Sequence, residues 1–239
     1  MKTILLLFCS IQSTLDFQSM DASGTDQIIV HKTTDFTPTG DGKSQYWEKV
    51  PWTNIRQRSH LNTGMETKIK ALYSDKGVYF LFHCQDTELN ASFNKDGERL
   101  WLEDVFEIFI WPDPSQEIYF EYELSPLNYE LPLMVIKFDG ELHRWQVWYF
   151  EDRRKIIHKT TVQGGPKETN ANILSWMGEI FIPFETLYPM SQKKPTPGTH
   201  WKANFTRMDY QNNKSIHWSW QELPNSFHEI NKFGTILFQ

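Results

Sequence analysis

The sequence predicts an all-β chain folded as an antiparallel β-sandwich of the jelly-roll or immunoglobulin kind. Three observations carry that expectation. About ten short segments alternate side chains with period two, the spacing that sends successive residues to opposite faces of a strand. Glycine, proline, asparagine and aspartate clusters separate those segments at short intervals. Apolar spacing of i, i+3, i+4, i+7 never persists through three turns, so no long helix is expected.

Taken in order, residues 28–30 form a short early strand and 37–42, Thr-Pro-Thr-Gly-Asp-Gly, a loop. Tyr46-Trp47 and Pro51-Trp52 are expected to lie as a lid across one end of the core. Residues 65–73 and 78–85 alternate on either side of Ser74-Asp75-Lys76-Gly77 and read as a hairpin. A polar loop, 86–100, leads to a second hairpin whose arms are 105–110 and 118–124. Its connector, Trp111-Pro112-Asp113-Pro114-Ser115-Gln116, holds two prolines and cannot continue a strand. Ser125-Pro126-Leu127-Asn128 breaks the chain, 133–138 resumes it, and Asp139-Gly140 turns tightly into 145–150. Strands follow at 155–162, 173–182, 201–210, 216–221 and 233–238, with one helical turn at 184–187.

The net charge of −6 argues against a nucleic-acid partner, because phosphate binding needs a basic face. No run of ~18 apolar residues spans a membrane. Met1-Lys2-Thr3 followed by a short apolar run to Ile11 outlines a secretory leader, here assigned to residues 1–19, which implies a secreted or periplasmic protein. Residues 20–239 then form one domain, expected to be monomeric. Cys9 and Cys84 are the two cysteines; with the leader removed, Cys84 is unpaired and reads as a small buried hydrophobe.

The second hairpin holds the candidate chemistry. Its alternation places Phe106, Ile108 and Ile110 on one face and Val105, Glu107 and Phe109 on the other; in the second arm Glu121 and Glu123 share a face. Paired arms bring Glu107, Glu121 and Glu123 together, with Trp101 at the entrance. An aromatic face covers the C–H side of a pyranose and carboxylates accept hydrogen bonds from vicinal hydroxyls, so the pattern fits a mono- or oligosaccharide. A solvated acidic sheet face is the plain alternative. Paired carboxylates also suit a glycoside hydrolase, although no acid stands in an evidently apolar stretch that would raise its pKa. No metal or cofactor is expected beyond a Ca²⁺ left open among Asp86, Asn90, Asn94 and Asp96, which lack EF-hand spacing.

Six blocks in order resemble carbohydrate-binding module family 9 and its stand-alone relatives, and with them the DOMON-like sandwiches. They are Asp41-Gly42 with Trp47; the paired strands 68–86; Trp101-Leu102-Glu103-Asp104-Val105-Phe106-Glu107-Ile108-Phe109; Gly178-Glu179-Ile180-Phe181-Ile182-Pro183; Trp201-Lys202-Ala203-Asn204-Phe205-Thr206-Arg207; and Trp218-Ser219 with the closing 227–234. The resemblance covers residues 40–239. It implies a non-catalytic slot in which two aromatic side chains sandwich a sugar: Trp101 matches one, and Phe227 stands where better-known members carry a second Trp, so stacking is expected to be weaker. Glu107 matches the hydrogen-bonding acid. Glu121 and Glu123 stand where some members carry Arg and Asn. His228, Asn204 and Arg207 complete the candidate set, with Arg207 alternatively neutralising the acids from a neighbouring strand. The other tryptophans, Trp145 among them, are expected in the core or at its rim. The DOMON side of the resemblance implies a weaker rival, a haem held between Met65 or Met134 and His83.

Overall fold

The computed structural model describes residues 26–211 and 214–239; residues 1–19, read from sequence as a leader, and Cys9 lie outside them. The described residues form thirteen strands: β1 (Gln27–Lys32), β2 (Thr53–Gln57), β3 (Thr67–Tyr73), β4 (Gly77–Gln85), β5 (Val105–Trp111), β6 (Ile118–Leu124), β7 (Glu130–Phe138), β8 (Glu141–Val147), β9 (Ile157–Gln163), β10 (Ser175–Pro183), β11 (His200–Gln211), β12 (Lys214–Ser219) and β13 (Gly234–Phe238). Their helical content is short single turns, at Gln45–Trp47, Leu100–Leu102, Phe184–Leu187 and Ile230–Lys232. No helix among the described residues is long and apolar enough to cross a membrane.

Two sheets make the sandwich. The first runs β8-β7-β6-β5-β11, with β12 and β13 dividing the far edge of β11 between them; the second runs β2-β3-β4-β10-β9. Along one side the layers join where β12 meets β2 and where β1 passes from β13 to β3. The expectation of purely antiparallel pairing fails at β1, which runs parallel to both neighbours. Sequence reading also missed β2, whose five residues show too little alternation to declare a strand, and placed β8 too late. Asp139 and Gly140 turn with φ of 52° and 79°, and the strand begins immediately after them.

The alternation in the second hairpin explains why its inner face is core. Phe106, Ile108, Ile110, Phe120, Tyr122 and Leu124 all enter the cluster between the sheets, and Phe106 stacks on Phe82 from β4 with ring centroids 4.0 Å apart. Cys84 is buried in the same cluster, its thiol pushed up to about 12 by desolvation, so it packs and does not react. The Tyr46–Trp52 aromatics do form a lid, but over the outer face of the second sheet. Trp47 packs with Leu72, Tyr79 and Leu81 there, and its indole N–H donates to Glu179 at 2.9 Å.

The haem rival fails on the same alternation. His83 is paired between Lys68 and Met177 on β4, one residue out of step with the core-facing Phe82 and Cys84, whereas Met65 and Met134 pack against the inner core. Of the residues weighed for Ca²⁺, Asp86 is ion-paired with Arg207 at 2.9 Å, Asn90 donates to the Tyr210 carbonyl, and Asp96 accepts the Glu130 N–H.

Candidate functional site

The outer face of the first sheet carries the acids. Register pairs Glu107 with Glu123 and Phe109 with Glu121 across β5 and β6, while β11 sets Thr206 beside Glu107. One oxygen from each of Glu107, Glu121 and Glu123 lies within 4.8 Å of the others. A cleft of about 320 Å³ opens over them. Its walls come from four parts of the chain: Trp101 before β5, Leu133 of β7 with Leu142 and Trp145 of β8, Met208 and Tyr210 of β11, and the 226–228 loop.

Local structure holds each wall. The Trp101 turn is pinned by the Tyr210 hydroxyl, which donates to the Trp101 carbonyl at 2.7 Å, and by Asp104, whose carboxyl accepts the N–H groups of Asn90 and Tyr210. The loop bearing Phe227 and His228 is closed by Asn225, whose N–H donates to Glu229, and anchored by Lys137, which donates to the His228 carbonyl at 2.8 Å. Trp101 meets Trp145 edge to face, with centroids 6.2 Å apart. Phe227 packs edge-on against His217.

The electrostatics depart from expectation in one respect. A solvated acidic face was the plain alternative, and no acid was expected in an apolar pocket; instead Glu107, Glu121 and Glu123 are 3%, 5% and 0% exposed. Desolvation pushes the Glu107 carboxyl up to about 7, against the pull of the Thr206 hydroxyl that donates to it. Glu121 is driven well above the carboxylate range by burial and then by the charge of Glu107; Glu123 follows, with burial first and its two neighbours next. Among the described residues, no Lys or Arg is among the charges acting on the three. His228 Nδ1 stands 3.7 Å from Glu121 and hydrogen-bonds the Tyr119 hydroxyl at 2.6 Å; burial, then Lys137, lowers its own pKa, so it is a neutral neighbour at neutral pH.

Of the eight candidates from sequence, Trp101, Glu107, Glu121, Glu123, Phe227 and His228 line this cleft and two do not. Asn204 shares the acid face but has no exposed surface. Its amide donates to Ser219 and accepts the Gln221 N–H, so it fastens the start of the C-terminal segment over the sheet. Arg207 is one residue out of phase with Thr206 and points to the other side of β11. There it neutralises Asp86 and Asp209, at 2.9 and 2.5 Å, and lies over the Trp218 ring. It therefore neutralises acids, but not those of the cleft.

Sequence reading expected Trp145 in the core or at its rim and not at the ligand; it is instead 45% exposed and forms a cleft wall. The signal was in the Asp139-Gly140 turn, because the hairpin it closes pairs Trp145 with Val135 on the acid face. Met208, Tyr210, Leu142 and Ser226 were missed as well. Each reaches the cleft through pairing or loop closure that no local pattern reveals.

Three solved structures share this fold. A protein from Bacteroides uniformis, crystallised as a candidate carbohydrate-binding protein, superposes with a TM-score of 0.69 at 16% identity, over 89% of this chain and 99% of that one. Two structures of a carbohydrate-binding module of family 9 from Caldicellulosiruptor kristjanssonii also match. Its complex with cellotriose gives 0.63 at 17% identity over 89% and 93% of the two chains, and its complex with glucose 0.64 at 18% over 89% and 95%. Among curated proteins none matches. The family model described as carbohydrate family 9 binding domain-like matches residues 40–239.

Proposed function

The chain belongs to the carbohydrate family 9 binding domain-like family, and from that premise we propose that it binds a mono- or oligosaccharide without catalysing a reaction, the sugar lying against Trp101 and Phe227 over a floor of carboxyls. The observation that carries this reading is a cleft with aromatic walls and hydrogen-bonding acids at its base, a composition suited to a ring with one C–H face and a rim of hydroxyls. The family 9 module with which the chain shares its fold binds glucose and cellotriose, which supports the same ligand class. In this reading the protein acts as a monomer in the periplasm or outside the cell, where polysaccharide is met and where the leader pattern of residues 1–19 directs it.

Calorimetric titration of glucose and cellotriose against wild type and Trp101→Ala tests the stacking role. Loss of one aromatic wall is expected to weaken binding about tenfold or more, since 1.4 kcal/mol corresponds to a factor of ten and a well-packed aromatic contact exceeds that. Unchanged affinity removes Trp101 from the site. One observation favours a second reading: a Glu107 carboxyl raised to about 7 has the protonation a glycosidase acid needs. Turnover of chromogenic glycosides that Glu107→Gln abolishes would replace binding by catalysis.

A further inference from the structure

The floor of the cleft lacks a partner that the protein does not supply. Glu123, a side chain with no exposed surface, has the Trp101 backbone N–H near its carboxyl but no described donor in full hydrogen-bond geometry on either oxygen, and Oε2 of Glu121 has none either. Three acids gathered this closely are ordinarily offset by an Arg or Lys, and none acts on them here. We propose that the cation comes with the ligand: the cleft takes a saccharide bearing a free amino group, its ammonium seated among Glu107, Glu121 and Glu123 while the pyranose face lies on the aromatic walls. The inference rests on the saccharide reading above and narrows it to the amino-sugar class.

Geometry and chemistry both support an ammonium. A tetrahedral nitrogen donating three hydrogen bonds of ~2.8 Å holds its acceptors about 4.6 Å apart, and the three carboxyls offer oxygens within 4.8 Å of one another. The walls, formed by Trp101, Trp145, Phe227, Leu133 and Met208, suit an organic cation better than a hydrated metal ion. Indole faces attract ammonium groups, and the apolar side chains cover C–H surface.

The titratable groups facing the floor are Tyr119 of β6, Tyr210 of β11 and His228, with Lys137 of β7 behind the histidine. Burial raises Tyr119 and Tyr210 and lowers His228 below its ordinary 6.5, so between pH 6.5 and 7.5, where Glu107 titrates, the carboxyls are the groups of the floor that change charge. An ammonium prefers them ionised. Its affinity should therefore rise with pH across that range, with protons released on binding, whereas a neutral sugar that accepts hydrogen bonds from protonated carboxyls should bind less tightly as pH rises.

The test is calorimetric titration of the full chain with glucosamine, glucose and N-acetylglucosamine at several pH values. Glucosamine is expected to bind about tenfold or more tighter than the other two at pH 7, as one charge-assisted contact set is worth at least that factor. Glu121→Gln and Glu123→Gln should each erase the preference, read as the ratio of glucosamine to glucose affinity in the same variant. Equal affinity for glucosamine and glucose overturns the inference and leaves the saccharide reading standing; failure of every mono- and oligosaccharide to bind removes both. If added Ca²⁺ lifts glucose to the affinity of glucosamine, the floor belongs to a metal ion and the ammonium assignment is overturned.

Discussion

Glu123 shows how a side chain can be placed by the strand period and then left without a partner. Its neighbours along β6 alternate correctly, Tyr122 and Leu124 into the core and Glu121 and Glu123 outward, where the cleft walls leave both acids almost wholly buried at its floor. Burying an unpartnered carboxyl costs about 1–3 kcal/mol. Glu123→Met, of similar reach, is accordingly expected to raise the melting temperature of the ligand-free protein at pH 8 while abolishing amino-sugar binding. A fall in melting temperature would mean that the carboxyl is held by something other than its ligand. The same logic sorts the two misplaced candidates. Asn204 and Arg207 lie in a block that resembles its family closely, but resemblance does not say which way a side chain faces; Arg207 is set by phase and Asn204 by what covers it.

At the scale of the element, β10 shows why a block of sequence can matter without touching a ligand. Gly178 pairs with Phe82, and a Cβ at that position would stand 2.3 Å from the Phe82 ring and 3.2 Å from Leu124. Phe82 has no freedom to withdraw, because it is stacked on Phe106 across the layers. That contact fixes β5, and with it Glu107 one residue along. Gly178→Ala is expected to destabilise the fold by about 1–3 kcal/mol through overpacking, measured as a lower denaturation midpoint. An unchanged midpoint would show that the ring can move. The hairpin of β5 and β6 was legible in the sequence because alternation and a proline-rich turn declared it together. β2 was not, since its few residues are held by pairing with β3 and β12 and not by a pattern of their own.

For the molecule as a whole, the buried acids set how stability depends on pH. Glu107 and Glu130 are raised to about 7, and Glu121 and Glu123 well above the carboxylate range, all chiefly by desolvation. A carboxyl raised on folding binds protons more tightly in the native state, so its contribution is present below the unfolded pKa and is lost as pH climbs through the folded one. Histidines oppose this at lower pH: burial drops His158 to about 4 and lowers His83, His217 and His228, so stability gains as pH rises toward 6.5. Above that the histidines are neutral in both states and the acids act alone. With Asp104 and Asp209 raised in the same way, the melting temperature is therefore expected to fall from pH 6.5 to pH 8, by roughly 2–4 °C for each kcal/mol lost in a chain of this size, with saturating glucosamine reducing the fall. A profile that keeps rising to pH 8 would show the floor already compensated. The sequence alone determined the layered all-β fold, the hairpin that gathers the acids and the family, because strand period, turn chemistry and motif order are local properties of a chain. Tertiary structure decided that the acids are buried with no described counter-cation, that Trp145 walls the cleft and that Arg207 serves another cluster. Burial and charge compensation depend on which distant segments come to lie over a face, and no local pattern records that.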